Sequence, residues 1–263
     1  KLQTNRMRLL LNMPFVNKKV FEKIREQVVN AFGGKFYEII VGGAAFNQEV
    51  EQFLQRIEFP YTVGYGATEC APIICYADCH DFVAGSCGKP VVHMEVKIDS
   101  PDPQNVPGEI LARGLNVMLG YFKNEEATAQ TLDADGWYHT GDLGLMDADG
   151  NVFIKGRSKN MLLGASGQNI YPEEIEDNLN SLNMVNECIV VQRGEKLVGL
   201  VYPDFDEAAT MQLNDSDLEN IMEENRQELN ASQPPYCRLA AIEIVKEEFE
   251  KTPKKSIKRY LYK

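Results

Sequence analysis

The segment 64–69, with the sequence Gly-Tyr-Gly-Ala-Thr-Glu, combines three side chains that suit a phosphorylated ligand with a planar ring. Tyr65 lies between two glycines and would offer an uncrowded ring face against which a purine can stack. The Thr68 hydroxyl could hydrogen-bond a phosphate oxygen, and the Glu69 carboxylate is a hard oxygen ligand suited to Mg²⁺. The alternatives are a core tyrosine and a surface glutamate.

Two later turns carry residues suited to other parts of such a ligand. Asp142 follows a Thr-Gly turn at a strand end, where its two carboxylate oxygens could accept hydrogen bonds from a ribose diol. The alternative is an Asx-type turn, in which the carboxylate bonds its own backbone. Gly164 and Gly167 flank Ala165-Ser166, and these small residues would leave room for a slender chain or would form a simple connecting turn.

The elements that must position the first segment form a βαβ unit. Apolar residues at helical spacing predict a helix that stops at Gly33-Gly34. The run 37–41 predicts a strand, a second amphipathic helix follows, and 61–63 predicts another strand. A crossover of this length implies parallel strands, so Gly42-Gly43-Ala44 and the segment 64–69 should lie at one ligand-binding sheet edge.

The rest of the chain predicts a β-rich region followed by a small α+β region. Short alternating runs over 85–155 predict an antiparallel sheet or small barrel, with a hairpin turn at Asp147–Gly150. Pro172 predicts the first residue of a helix. The later predicted elements are strands at 187–192 and 197–202, a polar helix at 215–230 and a strand at 240–245.

Four ordered segments together resemble the acyl-adenylate-forming superfamily, most closely its long-chain fatty acid–CoA ligases. The four are Gly64–Glu69, Asp135–Gly144, Gly156–Lys159 and Gly167–Glu176. Each would be a weak signal alone, but their order between Gly42 and Glu176, with a fifth and weaker motif at the C-terminus, makes a chance match improbable. The resemblance implies that ATP, AMP, Mg²⁺ and coenzyme A bind this kind of protein.

The resemblance also implies a role for each candidate residue. Asp142 would hold the ATP ribose, and Arg157 would contact ribose or phosphate. Thr68 would bind phosphate and Glu69 would bind Mg²⁺. Adenine would lie against Gly42, Gly43, Ala44, Tyr65 and Gly66. The loop from Gly164 to Gly167 would line the pantetheine route of coenzyme A. Lys159 would be the hinge of a mobile C-terminal domain, although its sequence context alone reads as a surface lysine.

The segment Thr252–Arg259 resembles the last motif of the family, which ends in a lysine that reaches the reacting carboxylate and the α-phosphate. This chain departs from the pattern, because the usual Ser-Gly-Lys is Ser-Ile-Lys and one residue fewer separates Pro253 from Lys258. We take Lys258 as the catalytic candidate. Lys255 would have that role if the motif is aligned in the other register. A solvated basic tail is the plain reading of the same residues.

The activity implied by the resemblance is ATP-dependent conversion of a fatty acid to acyl-AMP and then to acyl-CoA. The alternatives are an aryl–CoA or other acyl–CoA ligase, a fatty acyl–AMP ligase, and a nucleotide-binding fragment without turnover. The family has a Ser/Thr/Gly-rich phosphate loop that nothing in 1–34 resembles. We therefore expect this chain to be the C-terminal part of a ligase, inactive by itself.

The expected fold is α/β plus β. Residues 1–158 would be the C-terminal part of the large adenylate-binding domain, with an α/β piece at 1–83 and a β subdomain at 84–158. Residues 159–263 would form the small mobile α+β domain, so that Lys159 stands at the boundary.

Composition excludes some classes of binding partner. The formal net charge of −12 disfavours non-specific binding to nucleic acid or to an anionic membrane. No apolar run is long enough to predict a transmembrane segment, so any peripheral membrane contact would involve parts outside this chain. The six cysteines predict reduced thiols in a cytoplasmic protein, and their spacing lacks the paired pattern of a zinc site.

Overall fold

The computed structural model describes residues 14–43, 46–164, 167–253 and 256–262. Ala44 and Lys255 lie outside the described residues, as do Ala165 and Ser166. The described chain forms two compact units. The first unit comprises the residues up to Lys97 together with Leu111–Tyr138 and Met146–Phe153, and the second comprises Ile98–Ile110, His139–Leu145 and the residues from Ile154 onward.

The first unit begins with the predicted βαβ arrangement. Helix α1 (Pro14–Ala31) ends at the predicted glycines, where Gly33 has a φ of 88° and the Gly34 N–H donates to Val29 O over 2.9 Å. Such a left-handed stop suits glycine, which has no Cβ to clash. Strands β1 (Ile39–Val41) and β2 (Tyr61–Val63) pair in parallel, which confirms the predicted strand orientation.

Helix α2 (Gln48–Arg56) connects these strands. Its first turn is capped by Asn47, whose side-chain oxygen accepts a hydrogen bond from Val50 N at 3.0 Å. Ile57, Phe59 and Tyr61 are buried after the helix and form the centre of an apolar cluster. Apolar side chains of α1, including that of Ile24, pack against it and so fix the helix to the sheet.

Short strands follow, as the alternating pattern predicts. A three-stranded antiparallel sheet contains β3 (Tyr65–Gly66), β4 (Ile73–Tyr76) and β5 (Lys89–Pro90). A four-stranded sheet has the order β6 (Met94–Asp99), β7 (Gly108–Gly114), β8 (Tyr138–Met146) and β9 (Val152–Arg157), with α3 (Glu125–Thr131) between β7 and β8. The predicted turn joins β8 to β9, where Gly150 N donates to Asp147 O over 3.1 Å.

The C-terminal part of the second unit contains a mixed sheet packed with helices. Its elements are the hairpin β10 (Leu162–Leu163) and β11 (Asn169–Ile170), α4 (Pro172–Asn180), β12 (Val185–Arg193), β13 (Lys196–Pro203), α5 (Phe205–Thr210), α6 (Asp215–Ser232) and β14 (Leu239–Ile244). Strand β13 is central, antiparallel to β12 and parallel to β14. Pro172 is the first helical residue of α4, as predicted.

Alternation along β12 gives this sheet two buried faces. Cys188 and Val190 belong to the larger apolar cluster, which also contains Ile175 of α4 and Met222 of α6. Ile189 and Val191 belong to a second cluster with Phe249 near the chain end. Period-two side-chain placement therefore covers one face with helices and the other with the C-terminal segment.

These elements confirm the expected fold class, a mixture of helices with parallel and antiparallel sheets. The division into units passes through all four strands from β6 to β9 and leaves Lys159 inside the second unit, so the boundary between 158 and 159 stays a prediction. Among the described residues, no helix combines the length and apolar character needed to cross a membrane. All six cysteines are free thiols.

Candidate functional site

The ends of β1 and β2 lie side by side in the first unit. Gly64 N donates to Val41 O over 2.8 Å, and a Cβ added to Gly42 would lie 3.1 Å from Gly64 O. Gly43 follows with a φ of 91°, a left-handed conformation that favours glycine. Two predicted residues, Gly42 and Gly43, thus present bare backbone beside the start of the segment 64–69.

Tyr65 differs from its predicted environment. The sequence suggested an uncrowded ring between two glycines, but Tyr65 pairs with Cys75 in the antiparallel sheet and is only 7% exposed. Strand pairing explains the difference, because it adds neighbours that the flanking glycines do not reveal. The described structure therefore corrects the expected exposure of the ring, and its stacking on a base stays a prediction.

Gly66 is required by a close backbone approach. A Cβ at this position would lie 2.2 Å from Pro72 O, and Ala67 N donates to the same oxygen over 2.8 Å. A side chain of any kind would collide with this carbonyl. The glycine therefore fixes the turn that leads to Thr68 and Glu69, whether or not it also contacts a ligand.

Thr68 and Glu69 lie in a short 3₁₀ helix, with Thr68 exposed and Glu69 half-buried. The Tyr121 hydroxyl donates to Glu69 Oε1 over 2.8 Å, and Met118 N donates to Glu69 O over 2.7 Å. Burial and this carboxylate raise the pKa of Tyr121, so the phenol keeps its proton and remains a donor. The pKa of Tyr138 is also raised, mainly by burial and then by the charge of Glu69. Glu69 is therefore held in a fixed orientation.

Sequence reasoning missed the segment that holds Glu69. Asn116 Nδ2 donates to Cys70 O over 2.6 Å, beside the Tyr121 contact. Tyr121 N donates to Thr128 Oγ1 over 2.9 Å, and Gly120 has a φ of 149° with a virtual Cβ only 2.8 Å from the Thr128 side chain. The available signal was the Gly-Tyr pair at 120–121, which marks a tyrosine on a constrained turn.

In the second unit, the structure brings Asp142 and Arg157 together. Asp142 lies on β8 and is 8% exposed, while Arg157 ends β9. Arg157 Nε lies 2.8 Å from Asp142 Oδ1. Thr140 Oγ1 accepts from Asp142 N over 3.0 Å and donates to Ile110 O over 2.7 Å. The carboxylate thus projects from a rigid strand beside an exposed guanidinium.

Glu109 supports the middle of β8 and was also missed from sequence. Thr140 and Gly141 lie inside this strand, which corrects the turn at a strand end that the sequence predicted. The Glu109 carboxylate accepts from Gly141 N over 2.9 Å, and its other oxygen lies 3.0 Å from His139 Nδ1. Gly141 has a φ of 71°, and its carbonyl accepts from Ser158 N over 2.9 Å. Glu109 is distant in sequence and carries no motif, so only strand pairing could reveal it.

Lys159 and the glycine pair occupy successive turns. Lys159 is exposed in a turn closed by Asn160 N and Met161 N, which donate to Arg157 O over 3.0 and 3.1 Å. Gly164 N donates to Gln168 O over 2.8 Å and closes the β10–β11 hairpin. Gly167 has a φ of 84°. The pair therefore sits in a tight hairpin, and the two small residues between them lie outside the described part.

Lys258 is held by Glu250. Lys258 N donates to Glu250 O over 2.8 Å, and Lys258 Nζ lies 3.1 Å from Glu250 Oε2. The hydrogen bond to this carboxylate raises the pKa of Lys258 further above its ordinary value, so the side chain is an ammonium at neutral pH with or without Glu250. The alternative register, Lys255, has no described position.

A groove with a volume of about 410 Å³ lies between α6 and β14 among the described residues. Its walls include Leu218, Met222 and Ile244. None of its lining residues is one of the site residues predicted from sequence.

The glycine-lined strand ends, the held carboxylate and the Asp142–Arg157 pair each have chemistry that would suit part of a nucleotide. Family models agree on the kind of protein: the model described as AMP-binding enzyme matches residues 3–122, and the one described as AMP-binding enzyme C-terminal domain matches residues 159–262. The chain belongs to the AMP-binding enzyme superfamily.

Curated relatives include two kinds of CoA ligase. The chain is 36% identical over 192 residues to 4-coumarate-CoA ligase 1 of Narcissus pseudonarcissus, covering 67% of this chain and 35% of the relative. It is 39% identical over 186 residues to the peroxisomal long chain acyl-CoA synthetase 7 of Arabidopsis thaliana, covering 67% of this chain and 26% of the relative. The chain thus spans only about a quarter to a third of the length of these relatives.

Solved structures share the fold. The O-succinylbenzoate coenzyme A synthetase of Bacillus subtilis in complex with AMP has a TM-score of 0.70 at 22% identity, over 90% of this chain and 49% of that one. The anthranilate CoA ligase AuaEII in complex with anthranoyl-AMP has a TM-score of 0.71 at 25% identity, over 87% of this chain and 44% of that one.

Proposed function

We propose that this chain carries part of an AMP-forming acid–thiol ligase that activates a fatty acid. In the first half-reaction, a carboxylate oxygen attacks the α-phosphorus of ATP and pyrophosphate leaves. In the second, the thiol of coenzyme A attacks the acyl carbon, loses its proton and displaces AMP. Adenylation converts a poor electrophile into one with a good leaving group. The observation that carries the proposal is the Asp142–Arg157 pair, which offers an acceptor for a diol beside a cation for a phosphate.

The proposed nucleotide contacts are shared among several motifs. Asp142 would accept hydrogen bonds from the ribose hydroxyls, and the Arg157 side chain, 60% exposed, has the freedom to turn toward ribose or phosphate. Gly42 and Gly43 would let the backbone approach the adenine edge, with Ala44, Tyr65 and Gly66 completing this part. These roles come from the superfamily motifs that the residues match.

Thr68 and Glu69 suit the phosphate and metal end of the nucleotide. An exposed hydroxyl next to a carboxylate held by Tyr121 fits Mg²⁺, which binds through few protein carboxylates and keeps phosphate and water ligands. Bound Mg²⁺ would neutralise phosphate charge. The part of this chain is to hold the Glu69 carboxylate in one orientation and to place the Thr68 hydroxyl beside it.

The C-terminal residues would serve the two half-reactions separately. Lys258, which pairs with Glu250, would stabilise the charge that accumulates on the carboxylate and α-phosphate during adenylation. Lys159 would be the hinge of the domain movement, and the Gly164–Gly167 hairpin would then line the route of the pantetheine of coenzyme A.

The kind of carboxylic acid that is activated is the most specific part of the proposal. The relatives include both a long chain acyl-CoA synthetase and a 4-coumarate-CoA ligase, so an aryl acid is the competing substrate. The test is pyrophosphate release by the full-length protein with ATP, Mg²⁺ and either palmitate or 4-coumarate. Faster release with palmitate supports the fatty acid, and faster release with 4-coumarate overturns it. Acyl-AMP that forms but never reacts with coenzyme A would indicate an acyl–AMP ligase.

A nucleotide-binding role without turnover is the second candidate. The short span of the relatives covered by this chain favours it for the chain taken alone. Calorimetry with AMP and a coupled pyrophosphate assay on the same preparation separate the two candidates. AMP binding without pyrophosphate release supports binding alone, and release above the no-enzyme background overturns it. A cytoplasmic location stays a prediction from composition.

A further inference from the structure

A buried carboxylate joins three parts of the C-terminal region. Glu176 of α4 is 6% exposed, and one of its oxygens accepts a hydrogen bond from Val190 N. Its other oxygen pairs with the guanidinium of Arg259. Val190 lies on β12, an edge strand of its sheet, so Glu176 satisfies an N–H that no further strand pairs. One side chain thus ties α4 and β12 to the residue next to Lys258.

The other contacts of this end of the chain combine an apolar cluster with the Lys251–Glu187 ion pair, whose side chains are 28% and 27% exposed against 20% and 8% for Arg259 and Glu176. We call Phe249–Tyr262 the C-terminal segment, which is described except for residues 254 and 255. The Phe249 and Tyr262 rings pack edge to face with centroids 5.1 Å apart, and Ile257 joins them against the sheet. Glu250 N donates to the Tyr262 hydroxyl over 2.8 Å, so the segment folds back on itself.

Apolar contacts bury area without specifying one register, whereas a desolvated ion pair has one favourable geometry. Transfer of a carboxylate and a guanidinium out of water costs free energy, so such a pair adds little net stability. Its best-attested use is to select one arrangement among several of similar energy. Arg259 offers a planar fork with fixed donor directions, which a lysine would not reproduce.

We propose that Glu176 and Arg259 are positioning residues that fix the register of the C-terminal segment and thereby the place from which Lys258 acts. The proposal rests on the proposed role of Lys258 in adenylation. Arg259 turns inward to Glu176 while its neighbour Lys258 turns to Glu250, whose side chain is 64% exposed. A segment shifted along the sheet would carry the ammonium away from any substrate.

Two variants separate positioning from simple stability. Arg259→Met leaves a buried carboxylate without its cation, which should lower the melting temperature. Adding Glu176→Gln keeps an acceptor for Val190 N and removes the unpaired charge, which should restore most of the melting temperature. The matched control is Arg193→Met, because Arg193 pairs with Glu243 through side chains that are 50% and 46% exposed.

The first measurement is hydrogen exchange at the Lys258 amide, which donates to Glu250 O. A segment that has lost its register opens more often, so we expect exchange about tenfold faster in both Arg259→Met and the double variant. The control should match the unchanged protein. Exchange in Arg259→Met no faster than in the control overturns the proposal.

The second measurement is acyl-AMP formation by the full-length protein. Misplacement of a catalytic group by about 1 Å costs on the order of 10²-fold in rate, and we expect that loss in the double variant despite its recovered melting temperature. Recovery of the rate together with the melting temperature overturns the positioning role.

Lys258→Ala is assayed in parallel for acyl-AMP formation. If Lys258→Ala forms acyl-AMP at the normal rate, the catalytic role of Lys258 is wrong. The Glu176–Arg259 pair then has no catalytic group to position. A normal Arg259→Met rate beside a slow Lys258→Ala overturns only the positioning claim.

Discussion

Asp142 Oδ1 and Arg157 Nε lie 2.8 Å apart on neighbouring strands. The two side chains differ in exposure, at 12% for Asp142 and 60% for Arg157. The carboxylate is therefore mostly enclosed by the protein, while most of the arginine side chain lies in solvent. A ligand with hydroxyl groups and a phosphate would share the carboxylate and draw the guanidinium to itself, so this pair is where nucleotide binding should be most sensitive.

We expect Asp142→Asn to remove most of the stabilisation that AMP confers. A ligand at about 100 times its Kd stabilises the folded state by about 2.7 kcal/mol, and a weaker Kd reduces this gain. Thermal unfolding with and without AMP measures it. Glu95→Gln is the control, because Glu95 pairs with Arg113 on the surface. An equal AMP response in Asp142→Asn and the control would contradict the ribose assignment.

We expect Gly66→Ala to destabilise the first unit. The added methyl would lie 2.2 Å from Pro72 O, and overpacking of this kind costs about 1–3 kcal/mol. Gly64→Ala is a matched control, since its methyl would lie 3.4 Å from the nearest atom. Urea unfolding of both variants gives the comparison. Equal midpoints would show that the backbone relaxes without cost.

We expect Lys258→Ala to lower acyl-AMP formation by about 10²–10³-fold while leaving the reaction of supplied acyl-AMP with coenzyme A nearly intact. Loss of one preorganised electrostatic contact has this magnitude, and the contact exists in only one of the two transition states. Single-turnover assays of each half-reaction measure the effect. Comparable losses in both steps would rule out the role, and a selective loss in Lys255→Ala would move it to that residue.

We expect Lys159→Pro to slow thioester formation more than adenylation. Proline fixes φ near −65°, which restricts a hinge. The hydrogen bonds that close this turn are donated by Asn160 and Met161, so the substitution removes neither of them. Lys159→Ala, which removes only the side chain, should leave both half-reactions unchanged. An equal loss of both steps in the proline variant would instead indicate a folding defect.

We expect the free energy of unfolding to fall as the pH rises from about 4 to 7. Burial raises the pKa of Asp177 from 3.8 to about 6, and the neighbouring carboxylates of Glu173 and Glu174 add to the shift. The folded state therefore retains a proton on this carboxyl that the unfolded state has lost. The stabilisation from this proton is complete below the unfolded pKa and disappears as the pH rises through the folded pKa. Asp177→Asn should flatten the decline in the free energy of unfolding, measured by urea unfolding between pH 4 and 7, and an unchanged slope would contradict this cause.

The sequence by itself determined the features that depend on neighbouring residues. Glycine stops helix α1 at Gly33, Pro172 begins α4, and Asp147–Gly150 turns the chain between β8 and β9. Each is decided within about one turn of chain, where the allowed backbone angles and capping hydrogen bonds belong to the residue types themselves. The ordered motifs identified the superfamily for the same reason, since motifs are local strings.

Tertiary structure decided which distant residues meet. Tyr121 reaches Glu69 across 52 residues, and Arg259 reaches Glu176 across 83. Tyr65 is buried because its strand pairs with β4, although its flanking glycines suggested an open ring. Such contacts form when strands pair and helices pack. From sequence alone, many residues could serve equally well as the hydrogen-bond or ion-pair partner of a given polar group. The partner of a buried carboxylate is therefore fixed by burial and geometry, which only the folded chain supplies.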